Sequence, residues 1–151
     1  MKYLLTSIMA VAACASSVIF MTADAQTLGS VDTEWNMLGA NHKLEVLAFD
    51  DPKVQGATCY LSRPITGGLT GGFSEQKSDV SIACRATGPL KIVIPFKSGE
   101  QAFDESRSML FKKLRVVRMW DSGRQVLVYL AYSDKMVDGS PKNSISVIPF
   151  R

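Results

Sequence analysis

The sequence predicts a mainly β domain: a single antiparallel sandwich or partly open barrel with at most one short helix and one disulfide. Three observations predict it. Apolar and polar residues alternate with period two along most of the chain, clusters of Gly, Pro, Asp, Asn and Ser separate the alternating stretches, and the cysteines reduce to one pair once an amino-terminal leader is set aside.

The leader comes first. Met1-Lys2 is followed by the almost uncharged run "YLLTSIMAVAACASSVIFMT" and then by Ala23-Asp24-Ala25, the order of a charged tip, an apolar stretch and an A-x-A cleavage site. Residues 1–25 are therefore expected to be a signal peptide and residues 26–151 the mature domain. A membrane anchor is disfavoured, because Thr6, Ser16 and Ser17 dilute the run and no stop-transfer charges follow Asp24. Val11-Ala12-Ala13-Cys14 is a rival, lipoprotein-like processing site, but the apolar run continues past Cys14 where a polar tether would be needed. Removing residues 1–25 takes away one base, Lys2, and one acid, Asp24, so the net charge stays at +3.

The elements follow in order. "HKLEVLAF" alternates with Leu44, Val46 and Ala48 on one side and stops at Asp50-Asp51-Pro52, a turn. "ATCYLSR" and "DVSIACRAT" are the next strands, and after a break at Gly88-Pro89 "LKIVIPF" reads as another, with Ile92, Ile94 and Phe96 in line. "EQAFDESRSMLFKKL" supports either of two readings. Phe103, Leu110, Phe111 and Leu114 stand at helical spacing with acids early and bases late, yet Ser106 and Ser108 are poor helix residues and the stretch also fits a strand. "LRVVRMW" and "QVLVYLAYS" flank Asp121-Ser122-Gly123-Arg124, a hairpin turn. "VLVYLA" is apolar on both parities, which predicts a central strand covered on both faces. "SISVIPF" is the last strand, after a loop at residues 138–143.

Of three cysteines, Cys14 leaves with the leader, and Cys59 and Cys84 remain for an oxidising compartment. Alternation sets Cys59 beside Ala57 and Leu61, and Cys84 beside Val80 and Ile82, so both sulfurs are expected to face apolar neighbours. They are not in a C-x-x-C redox turn, and the reading favours a structural bridge over two reactive thiols. Such a bridge is worth about 3 to 3.5 kcal/mol by loop entropy.

Between those strands lies "TCYLSRPITGGLTGG". Gly67 and Gly72 have the outer spacing of a phosphate loop, but Phe73-Ser74 stands where the lysine and hydroxyl belong. Gly67, Gly68, Gly71 and Gly72 are thus a permissive connection, or at most a recognition loop. Ser74-Glu75-Gln76-Lys77 matches S-x-x-K by spacing alone, without the K-T-G element. A single histidine, His42, excludes multi-histidine zinc sites, and Asp50-Asp51 lacks the spacing of a calcium loop, so no metal site and no cofactor are expected. His42 could serve as a lone general base with Asp50 or Asp51 as orienting partner. An enzyme using His42 or Ser74 is the second reading of function.

The densest charge is "RSMLFKKLRVVR". Lys112, Lys113, Arg115 and Arg118 form a candidate surface for an anionic envelope component or an acidic partner protein, set against the plainer reading of a solvated face. Export argues against nucleic acid. The first reading is a non-enzymatic binding domain for a partner protein or envelope component.

The stretches "GSVDTEW", "FDDPKVQGATCYLSR", "TGG", "SDVSIACR" with a following "GP", "LFKKLRVVRMWD", "LVYLAYSDK" and "DGSPKNS" together resemble the CreA family of bacterial exported proteins, from Gly29 to about Pro149. The resemblance implies a periplasmic location in a Gram-negative bacterium and the paired cysteines Cys59 and Cys84. It supplies no catalytic residue.

Overall fold

The computed structural model describes residues 23–34, 42–65, 80–105, 114–133 and 142–150. Among these residues all regular structure is strand: β1 (Gln26–Glu34), β2 (His42–Asp50), β3 (Val54–Ile65), β4 (Ser81–Ile92), β5 (Glu100–Glu105), β6 (Leu114–Asp121), β7 (Val126–Ser133) and β8 (Asn143–Pro149). They form two antiparallel sheets, ordered β1-β2-β3-β4 and β5-β6-β7-β8. Every pairing is between sequence neighbours, so each sheet is a meander.

The sheets face each other across one core. Leu47, Phe49, Cys59, Leu61 and Ile82 come from the first, and Phe103, Val116, Leu127, Tyr129, Ala131 and Ile148 from the second. Phe49 and Phe103 stack across the gap with centroids 4.8 Å apart. Along one seam β4 runs beside β8, where Ser144 Oγ accepts from Ile82 N at 3.3 Å and Ser146 Oγ from Cys84 N at 2.8 Å. Serine side chains take the place of a main-chain ladder there, and the barrel does not close.

On β2 the buried parity is Leu47 and Phe49, so Leu44, Val46 and Ala48 form the outward side. Leu47 lies opposite Leu61, and Phe49 opposite Cys59, so the inward faces of β2 and β3 agree in register. β7 buries Leu127, Tyr129, Ala131 and Ser133, and its other parity is half-buried between β6 and β8.

Four local readings change. The polar, glycine-containing stretch Gln26–Glu34, to which the sequence pattern assigns no element, is edge strand β1, which needs a hydrogen-bonding neighbour on one side only. Gly88-Pro89 does not break the chain: β4 continues to Ile92, because an edge strand tolerates a proline that donates nothing to a ladder. The register jumps there from Ala57 opposite Ala86 to Gln55 opposite Lys91, a bulge that absorbs the proline. Gly56 faces this bulge at φ +80°, and a β-carbon on it would stand 2.6 Å from Pro89 O. Consequently "LKIVIPF" is not a separate strand; residues 93–98 instead cross from the first sheet to the second. Of the stretch with two readings, Glu100–Glu105 is a strand that sets Phe103 opposite Val116, and residues 106–113 lie outside the described residues.

Candidate functional site

The two ends of the sandwich differ. At one end lie the β2–β3 turn, the crossover at 93–99 and the β6–β7 hairpin, whose turn is pinned by Asp121 Oδ1 accepting from Gly123 N at 3.0 Å and Arg124 N at 3.1 Å. The ends of the strands flanking residues 35–41, 66–79, 106–113 and 134–141 all lie at the other end. This follows from register: Glu34 is opposite His42, Lys43 opposite Ile65, Ser62 opposite Ser81, Glu105 opposite Leu114 and Leu114 opposite Ser133, while β4 and β8 start side by side.

Polar chemistry at the first end is turned inward. Asp51 and Arg118 both have side chains at 0% exposure, and Arg118 Nε donates to Asp51 Oδ2 at 2.7 Å. Tyr129 OH donates to the same oxygen at 2.8 Å. The second carboxylate oxygen accepts from Lys53 N at 2.8 Å and Val54 N at 3.2 Å, so the turn's own amides hold Asp51 in place. Arg118 and Tyr129 lie directly opposite each other on β6 and β7. One carboxylate from the first sheet therefore takes two donors from the second.

The guanidinium is further enclosed. Phe96 lies under it at 5.3 Å and Glu100 Oε1 stands 3.7 Å from Nη1, while Nη1 and Nη2 donate to no protein acceptor. Glu100 is itself paired with Lys53 and accepts from Lys97 N at 3.1 Å. The Lys53 hydrogen bond pulls the Glu100 carboxyl below its ordinary range, against the opposing effect of partial burial. Burial first, and then the negative charge of Asp51, hold the Tyr129 phenol far above its usual value, so it is a donor and not a base at any physiological pH. The cluster locks the sheets together.

The sequence-derived site residues separate accordingly. Cys59 and Cys84 are directly opposite on β3 and β4 and form a disulfide, with Cys59 wholly buried. Arg118 leaves the proposed basic surface, because it faces the core as a buried ion-pair partner. Arg115, one residue earlier on the outward parity than Val116, stays half-exposed near the loop end. Lys112, Lys113, Gly67, Gly68, Gly71, Gly72 and Ser74 lie outside the described residues. His42 and Asp50 bound β2 at opposite ends, about 27 Å apart at the usual rise per residue, so neither Asp50 nor Asp51 orients His42.

The Asp51–Arg118–Tyr129 cluster was missed in the sequence for definite reasons. Asp51 stands in a Asp-Asp-Pro turn, where acids are common, and Arg118 stands in a run of bases. The available signal was parity: Leu114, Val116, Arg118 and Trp120 share one side, and a cation on an apolar parity requires a buried anion. Among the described residues no group of three or more His, Cys, Asp or Glu side chains converges as a metal site would require, and no helix is long and apolar enough to cross a membrane.

Two facing meanders, a cross-strand disulfide and an ion pair sealing one end define a small disulfide-tied β sandwich. Residues 28–151 match the profile of the family described as "CreA protein". The chain is 49% identical over 133 residues to Protein CreA of Escherichia coli K12, covering 84% of this chain and 85% of that protein, and equally so to Protein CreA of E. coli O6:H1 and O157:H7. It belongs to the CreA family. No solved structure matches it.

Proposed function

We propose that this chain is an exported periplasmic protein that works by binding, its loop end taking a partner protein or envelope component that carries negative charge. The observation that carries the reading is convergence: the strand ends flanking residues 35–41, 66–79, 106–113 and 134–141 lie together at one end, and the rim there carries Lys43, Arg115 and Lys142, with Arg63 bonded to Glu45 at 2.7 Å. Loops gathered on one end of a rigid sandwich are a recurrent way of building a recognition surface, and basic residues around them favour encounter with anionic partners.

Export rests on the order of charged tip, apolar run and Ala23-Asp24-Ala25, and β1 starts at Gln26, so cleavage after Ala25 would leave every described strand whole. Intact-mass measurement of the protein recovered from the periplasm is expected to give Gln26 as the first residue. For binding, the test is charge reversal with Arg115→Glu and Lys142→Glu together. The variant is expected to stay folded, as checked by its circular dichroism, and to lose association with the native partner most strongly at low salt. Unchanged association at low salt would return both residues to the role of solvated surface.

A further inference from the structure

Ile92, Val93 and Ile94 end β4 and begin the crossover, and all three are exposed, at 38%, 48% and 37%. Val93 and Ile94 lie beyond the end of β4, so their exposure is set by the path of the crossover and not by strand pleating. The backbone beneath them is fixed. Val93 N and Ile94 N both donate to Lys53 O, at 2.9 and 3.3 Å, Pro95 follows, and Phe96 returns to the core beside Arg118. The side chains are thus held outward by a braced main chain.

Charge at this end is arranged around them. Lys91 and Lys97 flank the run and both are exposed. The neighbouring Lys53, Arg118 and Arg124 are matched by Glu100, Asp51 and Asp121, and Asp50 is engaged by Thr58 Oγ1 at 2.6 Å.

We infer that Ile92, Val93 and Ile94 form a tip that enters the outermost layer of an anionic lipid membrane, with Lys91 and Lys97 against the headgroup phosphates. Short aliphatic side chains reach the boundary between headgroups and acyl chains, and two cations beside them supply the preference for negative lipid. Ile92–Ile94 lie at the opposite end of the strands from the loop end, so the inference does not depend on what the loop end binds.

The test is sedimentation of the protein, isolated as the cell processes it, with vesicles of phosphatidylcholine alone or containing phosphatidylglycerol. Binding is expected only with phosphatidylglycerol present and is expected to fall with added salt. Lys91→Glu with Lys97→Glu should reduce it about tenfold or more, and Val93→Asp with Ile94→Asp should abolish it, both without changing the melting temperature. Because all variants share the parent's amino terminus, the differences read the tip and not the leader. Val93→Trp adds a second readout: its emission, after subtraction of the parent's, should shift to the blue with anionic vesicles. Equal binding to both vesicle types, binding unchanged by the aspartates, or no emission shift would overturn the inference. A photo-crosslinker at Val93 that captures a protein in cells while the vesicles give no signal would do the same, and would assign the tip to a protein partner.

Discussion

Asp51 in the β2–β3 turn and Arg118 in the middle of β6 meet at 2.7 Å with neither side chain exposed, so a turn of one sheet is bonded to a strand of the other. A buried pair is not strongly stabilising in itself, since both charges give up their hydration. What it does impose is a severe penalty on losing one partner. Asp51→Asn should therefore lower stability by about 3 to 5 kcal/mol in urea unfolding, leaving Arg118 with Glu100 at 3.7 Å as its nearest anion. Adding Arg118→Met should recover much of that loss. A double variant no better than Asp51→Asn would mean that the cost comes from the turn amides on Asp51 and not from the stranded cation.

Tyr129 gives the pH dependence a sign. Its folded value is raised above the value in the unfolded chain, so the stabilisation it confers is complete below about pH 10. As pH rises beyond that point the unfolded chain ionises its tyrosine while the folded protein cannot, and stability falls by up to about 1.4 kcal/mol per pH unit from this group. Tyr129→Phe should be less stable at neutral pH, having lost the bond to Asp51, and should show a shallower decline in alkaline unfolding. An identical alkaline slope in both proteins would assign the decline to other groups.

Gly56 is fixed by space as well as by φ. At φ +80° with Pro89 O only 2.6 Å from where a β-carbon would stand, Gly56→Ala must displace the bulge in β4 or strain its own backbone. A loss of about 1 to 3 kcal/mol is expected. Gly99 has a similar φ of +86° but open space around it, so Gly99→Ala should be milder, and that ordering can be read from the two melting temperatures.

The Cys59–Cys84 bridge ties neighbours on β3 and β4 across the connection 66–79. Replacing both cysteines by serine should cost about 2 to 5 kcal/mol. Because Cys59 sits in the core, part of that loss should persist when the native protein reduced by dithiothreitol is the reference; a variant equal to the reduced protein would make the bridge the whole effect.

How much of this was legible in the sequence depends on what each feature needs. Strands dense in β-branched and aromatic residues, such as "LRVVRMW" and "QVLVYLAYS", declared themselves, as did the Asp121 turn between them and the cysteine pair. β1 did not, because an edge strand held by one neighbour needs no apolar pattern. The continuation of β4 through Gly88-Pro89 was hidden because a bulge is a relation between two strands, and Gly56 is its other half. Arg118 is the instructive case. Its charge suggested a surface, whereas its parity with Leu114 and Val116 required a core position, and parity prevailed because Asp51 and Tyr129 were there to receive it.

The central claim is that the loop end is the surface that meets a partner. Photo-crosslinking in intact cells tests it most directly, with the reactive residue placed at Lys43, Arg115 or Lys142 on the loop rim and at Gly123 in the hairpin at the sealed end. The account predicts one protein or envelope component captured in common from the rim positions and identified by mass spectrometry, absent from Gly123 and reduced by Lys113→Glu. Adducts from Gly123 with none from the rim would contradict it.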